Sequence, residues 1–231
     1  MATAERGYRE RPSRTRAATV WQLGPGRSAE FRILPDGCMD VIHHQGGELL
    51  VAGPDTVAKL GTSPAGRTYT AIRFDPGQAP GILGVHADEL RDQRVPLSAL
   101  WPSAQVRRLQ ERLDESADPA ADLDAAFARN DTSDELWVRA LVERIRAQRP
   151  VAEVAAELNL SERQLHRRGL HLFGYGLKTL SRILRVNAAL DLARGGMPFG
   201  LVAASSGYAD QAHLSREVKA LAGAPLSAVI R

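Results

Sequence analysis

Cysteine, lysine and long apolar stretches are scarce in this chain, and their scarcity excludes several classes of protein. No window approaches the roughly eighteen uncharged apolar residues that a membrane helix needs, so we expect no membrane contact. One cysteine, Cys38, cannot form an intramolecular disulfide, and no apolar segment follows the polar first sixteen residues as in a secretory signal. These absences predict a cytoplasmic protein. Arginine outnumbers lysine by 27 to 3, which genome base composition alone would explain, so we draw no function from it.

The composition is that of a folded globular chain with an uneven charge distribution. Apolar residues make up 44% and charged residues 25% of the 231 residues. Residues 1–16 carry a net charge of +3 and residues 17–149 one of −4. Residues 150–231 hold ten basic and six acidic side chains, a net charge of +4. This pattern favours a polyanion-binding module at the C-terminal end, although a solvated helix face would give the same count.

The hydrophobic pattern divides the chain into four parts. Residues 1–16 are predicted to be a flexible Arg-rich arm, and residues 17–102 a β-rich barrel or sandwich that serves as a sensor domain. Residues 103–149 show helical spacing and are interpreted as a connector that ends at Arg149-Pro150. Residues 150–231 are predicted to be an all-α domain. The fold class is therefore α+β.

Turn sequences rich in Gly, Pro and Asp bound the short apolar runs of the sensor domain. These runs predict strands at Glu30–Leu34, Met39–His44, Leu49–Ala52, Thr68–Phe74 and Ile82–Val85. A short helix is expected to begin at Ala87 and to end before Pro96.

One supersecondary unit occurs twice in the C-terminal domain. In the first copy, Val151, Val154, Ala155 and Leu158 form the apolar stripe of a short helix, and Ser161 is positioned to cap a second helix. About 48 residues later, Phe199, Val202 and Ala203 repeat the stripe, Gly207 suits the turn, and Asp210 caps the next helix. A longer helix, with Leu180, Leu184, Ala188 and Leu192 expected inward, joins the copies. A helix, a tight turn and a second helix with Arg on its outer face predict a helix-turn-helix unit.

Two stretches resemble the AraC-type (AraC/XylS-like) transcription regulators. They are residues 154–165, VAAELNLSERQL, and residues 207–216, GYADQAHLSR, and the closing GAPLS at residues 223–227 is similar too. The resemblance covers about 80 residues. It implies a bacterial DNA-binding regulator whose two recognition helices enter successive major grooves. Residues 34–38 and 51–56 resemble, less sharply, the sensor domains attached to such regulators.

The sequence departs from the family pattern at two positions. Gly169 stands where the first recognition helix usually has a large aromatic residue, and Leu177 where proline is usual. Because a glycine inside a helix lowers its stability by roughly 1 kcal/mol relative to alanine, we expect the first unit to be packed more loosely.

The candidate DNA-binding residues lie on and beside the second helix of each copy. The first set comprises Ser161, Arg163, Gln164, His166 and Arg167; the second comprises Gln211, Ala212, His213, Ser215, Arg216 and Lys219. Arginine pairs with guanine and glutamine with adenine in the major groove, while serine, lysine and arginine also bind phosphates. The alternative for each set is a solvated helix face. Lys178, Arg182 and Arg185 on the joining helix are explained equally well by phosphate contact or by packing.

Three other residues are candidates for a metal or sensor site. Cys38, His43 and His44 lie close together in sequence, but adjacent residues of a strand point to opposite faces, so the two histidines cannot share one ion. We predict no metal, no cofactor and no catalytic site. Whether Cys38 is a sensor thiol stays open.

The sequence thus predicts a transcription regulator, associated with the nucleoid, that binds double-stranded DNA and responds to a small molecule bound in the N-terminal domain. The alternatives are a cupin-like metal-dependent enzyme with a helical appendage and an effector-free DNA-binding co-regulator. The effector, the operator and the sign of regulation are open, as are contact with RNA polymerase and formation of a homodimer.

Overall fold

The computed structural model describes residues 7–14, 17–128 and 133–230, the side chains of residues 29 and 133–135 excepted. The strands of the N-terminal part are β1 (Tyr8–Pro12), β2 (Ala18–Leu23), β3 (Ala29–Ile33), β4 (Met39–His44), β5 (Leu50–Ala52), β6 (Lys59–Ser63), β7 (Tyr69–Phe74) and β8 (Arg94–Pro96). The helices are α1 (Ala79–Leu83), α2 (Ser103–Glu115), α3 (Pro119–Ala126), α4 (Ser133–Arg146), α5 (Val151–Glu157), α6 (Glu162–Phe173), α7 (Leu177–Arg194), α8 (Phe199–Ser205), α9 (Gln211–Ala222) and α10 (Leu226–Val229). Single turns of 3-10 helix lie at Ala87–Leu90 and Leu97–Ala99.

A six-stranded antiparallel sheet, in the order β1-β2-β7-β4-β5-β8, forms the body of the N-terminal domain. Burial alternates along β4: Met39, Val41 and His43 are buried, whereas the residues between them are half-exposed. The buried face packs against α2 and α3, which contribute Val106, Leu123 and other apolar side chains to the same core. The predicted β-rich domain followed by an all-α domain is confirmed.

The sheet does not close into a barrel. In the part of the chain that the structure describes, β1 and β8 are the two ends of the large sheet, and β3 and β6 pair in a separate two-stranded sheet. The prediction of β structure is correct, but of its two alternatives the closed barrel is wrong for the described residues. An apolar sheet face has to be buried against another layer, and here α2 and α3 form that layer.

Part of the predicted flexible arm is a strand. Tyr8–Pro12 pairs antiparallel with β2, and Arg11 within this strand and Ser13 just after it donate hydrogen bonds to the carboxylate of Asp124 in α3. The prediction is wrong here because the polar sequence gives no sign of the pairing with β2, and because Asp124 lies more than a hundred residues away. The remainder of the predicted arm, residues 1–6 and 15–16, lies outside the described residues.

The segment predicted as the last strand of the sensor domain is a helix. Ala79–Leu83 forms α1, with Pro80 in its first turn and with Ala79 and Leu83 buried in the core. Proline is well tolerated in the first turn of a helix, where its missing N–H has no partner to lose. The helix predicted from Ala87 is only one turn, and the chain then returns to the sheet as β8.

The predicted helical connector belongs to two different cores. Helices α2 and α3 pack with the large sheet, and Phe127 closes that core. Helix α4 instead contributes Val138, Leu141, Val142 and Ile145 to the core of the C-terminal helices. Helical spacing alone predicts which face of a helix is apolar but not which domain that face covers.

Helix α7 crosses the middle of the C-terminal core and buries more of its surface than predicted. Leu180 is buried, as expected, whereas Leu184 and Leu192 are half-buried and Ala188 is exposed. The buried stripe runs through Leu177, Leu180, Ile183, Val186, Ala189, Leu190 and Ala193. The prediction is wrong because α7 contacts α4, α6, α8 and α9, and this requires a wider apolar face than one partner would. Among the described residues, no helix is both long enough and apolar enough to cross a membrane.

We expect the substitution Asp124→Asn to destabilise the N-terminal domain. The carboxylate is fully buried and accepts hydrogen bonds from Arg11 Nη1 at 2.7 Å, Ser13 Oγ at 2.5 Å and the Arg14 backbone N–H at 3.1 Å. An amide keeps the shape but removes the charge and one acceptor, so the free energy of unfolding should fall by about 1–3 kcal/mol. Urea denaturation measures this change.

The matched control is Glu111→Gln, which removes an exposed carboxylate whose ion pair with Arg107 measures 4.0 Å. Its effect should stay within about 0.5 kcal/mol. Equal effects of the two substitutions would contradict the anchoring role of Asp124.

Candidate nucleic-acid interface

The first helix-turn-helix unit consists of α5 and α6. Val154, Ala155 and Leu165 are buried between the two helices. The turn places Asn159 in the left-handed region at φ 53°, and the Leu160 N–H donates a hydrogen bond to the Ala155 carbonyl at 2.9 Å. Asparagine adopts this conformation more readily than most residues, which explains its place in the turn.

Ser161 and Gln164 start the recognition helix α6 through a reciprocal capping box. The Ser161 hydroxyl accepts a hydrogen bond from the Gln164 backbone N–H at 3.2 Å, and the Gln164 side chain accepts one from the Ser161 N–H at 2.9 Å. Both were predicted to bind DNA. Because their side-chain oxygens satisfy the free N–H groups of the helix, they fix the amino end of the reading helix.

Arg163, His166 and Arg167 occupy the exposed face of α6, as predicted. Among the described residues, the two arginines form no ion pair and donate no hydrogen bond. The opposite face of the helix carries Leu165 and Phe173, which are fully buried. The first predicted set of side chains therefore lies together on one solvent-facing side.

The second unit, α8 and α9, repeats the geometry of the first turn. Gly207 has a φ of 71°, and the Tyr208 N–H donates to the Ala203 carbonyl at 2.9 Å. These residues follow their counterparts in the first unit by 48 positions, so the repeat read from the sequence is a repeat in the backbone. Asp210 then caps α9 by accepting a hydrogen bond from the His213 N–H at 2.6 Å.

The predicted residues of α9 divide into an exposed and a partly covered group. Gln211, Ala212, Arg216 and Lys219 are exposed. His213 and Ser215 are half-buried, and the His213 ring lies edge-on to Tyr208 with centroids 5.3 Å apart. His213 is therefore placed to support the turn as well as to face a ligand.

Ion pairing separates the basic residues of the C-terminal domain into two classes. Arg144 and Arg149 pair with Glu157, and Arg182 pairs with Glu217 at 2.9 Å. The hydrogen bond from Arg182 lowers the pKa of Glu217 below its usual value. In the part of the chain that the structure describes, the basic residues predicted to contact DNA from the recognition helices, Arg163, Arg167, Arg216 and Lys219, have no carboxylate partner. A further arginine of α6, Arg168, instead lies 5.3 Å from the centroid of the Trp137 ring. Unpaired cations concentrated on two reading faces match the needs of phosphate and base contact better than a generally solvated surface does.

The joining helix α7 uses its basic residues differently. Lys178 is exposed, whereas the Arg185 guanidinium lies 4.4 Å from the centroid of the Tyr208 ring. Together with His213, this contact connects α7 to the second unit through one tyrosine. Tyr208 is not among the residues predicted from the sequence, where its one signal is its place directly after the glycine of the turn.

The two departures from the family pattern lie against each other. Gly169 is buried, and a Cβ atom built on it would lie 3.1 Å from Leu177 Cδ2. Leu177, which stands where proline is usual, therefore fills the space beside the glycine. At this contact the first unit is not packed loosely, contrary to what we expected from Gly169.

The histidines considered for a metal site face different surroundings. His43 is buried, and its Nε2 atom lies 2.9 Å from the Asp114 carboxylate of α2. The His44 ring instead packs edge-on to Tyr69. In the described residues, no group of three or more His, Cys, Asp and Glu side chains could hold a metal ion. Burial and the nearby Asp36 carboxylate raise the pKa of the Cys38 thiol well above its usual value, which disfavours the reactive thiolate.

Comparison with known proteins agrees with this geometry. A family model described as a helix-turn-helix domain matches residues 154–231, and a second, described as a domain of unknown function, matches residues 17–96. A comparison with curated proteins finds no significant match.

Solved structures similar to the chain include several of ToxT from Vibrio cholerae. One, at 1.65 Å resolution, is 12% identical, with a TM-score of 0.48, and the match covers 92% of this chain and 97% of that one. A second, bound to an unsaturated fatty acid, is 12% identical, with a TM-score of 0.45, and covers 100% of this chain and 97% of that one. The family match over the two helix-turn-helix units confirms the resemblance found in the sequence for residues 154–231, which form a helix-turn-helix domain of the AraC type.

Proposed function

We propose that this protein regulates transcription at the nucleoid by binding specific double-stranded DNA sequences without catalysing a reaction. The observation that supports this most strongly is the pair of recognition helices, each with an exposed face of basic residues that have no acidic partner among the described residues. Each helix is also capped at its amino end by a side chain of its own unit. A rigid helix with an unpaired basic face has the shape and charge to enter a major groove.

The side chains of the two helices are suited to different contacts with DNA. Arg163 and Arg167 are one helical turn apart and can each pair with the two acceptors of a guanine. On α9, Gln211 suits adenine and Arg216 suits guanine or phosphate. Lys178 and Lys219 are exposed and serve best as phosphate contacts that set affinity rather than sequence choice.

The N-terminal domain is proposed to bind a small effector at its surface. A pocket of about 440 Å³ lies between α2 and the segment that leads into β5. Its walls include the carboxylates of Glu48, Glu111 and Asp114, with Ser98, Ser103 and Gln110 beside them. A lining rich in carboxylates and hydroxyl groups suits a ligand that carries amine and hydroxyl groups.

We expect the two recognition helices to read different half-sites. Arg163→Ala with Arg167→Ala should relax base choice in one half-site, and Gln211→Ala with Arg216→Ala in the other, about 10 base pairs away. Each lost base contact should reduce discrimination by about 1–3 kcal/mol. Binding selection on a randomised duplex pool, performed with the full chain, measures the base preferences.

The matched control is Arg27→Ala with Arg67→Ala, which removes the same charge from exposed positions of the N-terminal domain. Its base preferences should equal those of the unmodified chain. The two-reader model is wrong if both recognition variants lose the same base positions. The proposed function itself is wrong if the folded chain shows no salt-dependent binding to any duplex.

The pocket beside α2 should respond to effector chemistry. We expect a member of a panel of amino acids, polyamines and polyols to raise the melting temperature of the full chain, since a ligand at about 100 times its Kd adds about 2.7 kcal/mol to stability. Glu111→Gln should weaken this stabilisation, and Glu30→Gln, which removes an exposed carboxylate of β3, should not. A stabilising ligand that is unaffected by Glu111→Gln would place the effector site elsewhere.

A further inference from the structure

Both recognition helices end against the N-terminal domain. Helix α6 ends at Phe173 and is followed by Gly174, and helix α9 ends at Ala222. At each of these two ends, an arginine of the N-terminal domain donates a hydrogen bond to a backbone carbonyl. The two arginines, Arg91 and Arg32, were not among the residues singled out by the sequence.

The carboxyl end of α6 packs tightly on the 3-10 turn at Ala87–Leu90. Arg91 Nη1 lies 3.3 Å from the Gly174 carbonyl oxygen. The rings of His86 and His171 stack with centroids 3.9 Å apart and planes inclined by 10°. A Cβ atom on Gly174 would lie 2.7 Å from Pro54 and 3.1 Å from the Ala87 carbonyl oxygen, so the contact requires glycine here.

The carboxyl end of α9 meets a different part of the same domain. Arg32 Nη1, in β3, lies 2.6 Å from the Ala222 carbonyl oxygen. The Ala58 N–H, just before β6, donates to the Leu221 carbonyl at 2.7 Å. The two-stranded sheet is therefore attached to the second reading helix by two hydrogen bonds.

The two contacts lie at corresponding ends of the reading helices: the Ala222 carbonyl belongs to the last turn of α9, and the Gly174 carbonyl belongs to the residue that directly follows α6. The last four carbonyl groups of a helix have no partner within the helix, and they carry the negative end of its dipole. A guanidinium group supplies donors and a positive charge, so it stabilises such an end. Because the two guanidinium groups belong to one domain, the distance between the helix ends depends on that domain as well as on α7.

The joining helix is held by the N-terminal domain as well. The Asn187 side chain donates a hydrogen bond to the Pro35 carbonyl at 2.7 Å. Leu180 lies so close to Gly37 that a Cβ atom there would be 2.9 Å from its side chain. Together, α6, α7 and α9 therefore each contact the N-terminal domain, which restrains the whole reading unit.

We infer that Arg32 and Arg91 are positioning residues that set the half-site spacing the protein accepts. This inference rests on the proposed function. One added base pair shifts the second half-site by about 3.4 Å along the DNA and rotates it by about a tenth of a turn. A reading unit held at both helix ends discriminates against that shift, and a released unit follows it more easily.

The experiment uses the full chain and the duplex found by binding selection, with zero, one or two base pairs inserted or deleted between the half-sites. The unmodified chain should bind one spacing best and lose affinity steeply at the others. Arg32→Ala with Arg91→Ala should flatten this profile and should lower affinity at the best spacing about two- to fivefold for each arginine. Arg32→Lys with Arg91→Lys, which retains both charges, should give an intermediate profile.

Two controls separate positioning from charge and from folding. Arg67→Ala removes an exposed arginine between β6 and β7 and should leave the spacing profile unchanged. Gly174→Ala should flatten the profile by forcing α6 away from Pro54. Gly196 has a similar positive φ but open space around it, so Gly196→Ala should leave the profile unchanged.

The outcomes distinguish the inference from the proposed function. If the unmodified chain binds no duplex, the proposed function fails. If it binds a preferred spacing and the folded double variant keeps the same profile, Arg32 and Arg91 do not set the spacing and the inference is overturned. If the double variant does not fold, as judged by circular dichroism, the single variants and Gly174→Ala decide: an unchanged profile in all of them overturns the inference, and a flattened one supports it.

Discussion

A helix leaves unpaired N–H groups at one end and unpaired carbonyl groups at the other, and the reading part of this protein is organised around satisfying both. The amino ends of α6 and α9 are satisfied by Ser161 and Asp210 of their own units. The carboxyl ends are met by arginines of another domain, Arg91 and Arg32. Each reading helix is thus fixed locally where it begins and by tertiary contact where it ends.

This difference explains how much of the interface could be predicted from the sequence. The caps at Ser161 and Asp210 and the turn at Gly207 follow from chemistry within a few residues, and all three were found. The repeat of 48 residues recurs in the backbone hydrogen bonds of the turns. Arg32 and Ala222 are 190 residues apart, and no local pattern connects them. Such contacts depend on how the two folded domains pack against each other.

The errors in the fold have the same origin. The sequence of β1 is polar and predicts a flexible arm. The segment is ordered because it pairs with β2 and because Asp124 of α3 accepts a hydrogen bond from Arg11. The sequence predicts one helical connector, but α3 and α4 pack in different cores. Helical spacing correctly predicts that α2, α3 and α4 are helices. It carries no information about the domain that each apolar face covers.

One ladder of the large sheet joins the pocket beside α2 to the contact with the first reading helix. Leu49 lines the pocket, and its carbonyl accepts a hydrogen bond from the Leu97 N–H at 2.7 Å. The pairing continues through β5 and β8 to Gly53, whose N–H donates to the Gln93 carbonyl at 3.0 Å. Pro54, the next residue, packs on Gly174.

The pocket and the helix end are therefore separated by a single short extended segment, about 17 Å long at 3.4 Å per residue. A ligand changes DNA affinity only if it binds the DNA-competent and incompetent states with different affinity. The proposed reading residues lie on α6 and α9, so the proposed effector would act by changing the position of one of these helices. An effector that shifts residues 49–54 acts on Pro54 at the end of α6 directly. It reaches α9 only through the rest of the N-terminal domain, since that helix is held by Arg32 and Ala58. If this pocket holds the proposed effector, the first reading unit is the one that the effector is placed to control.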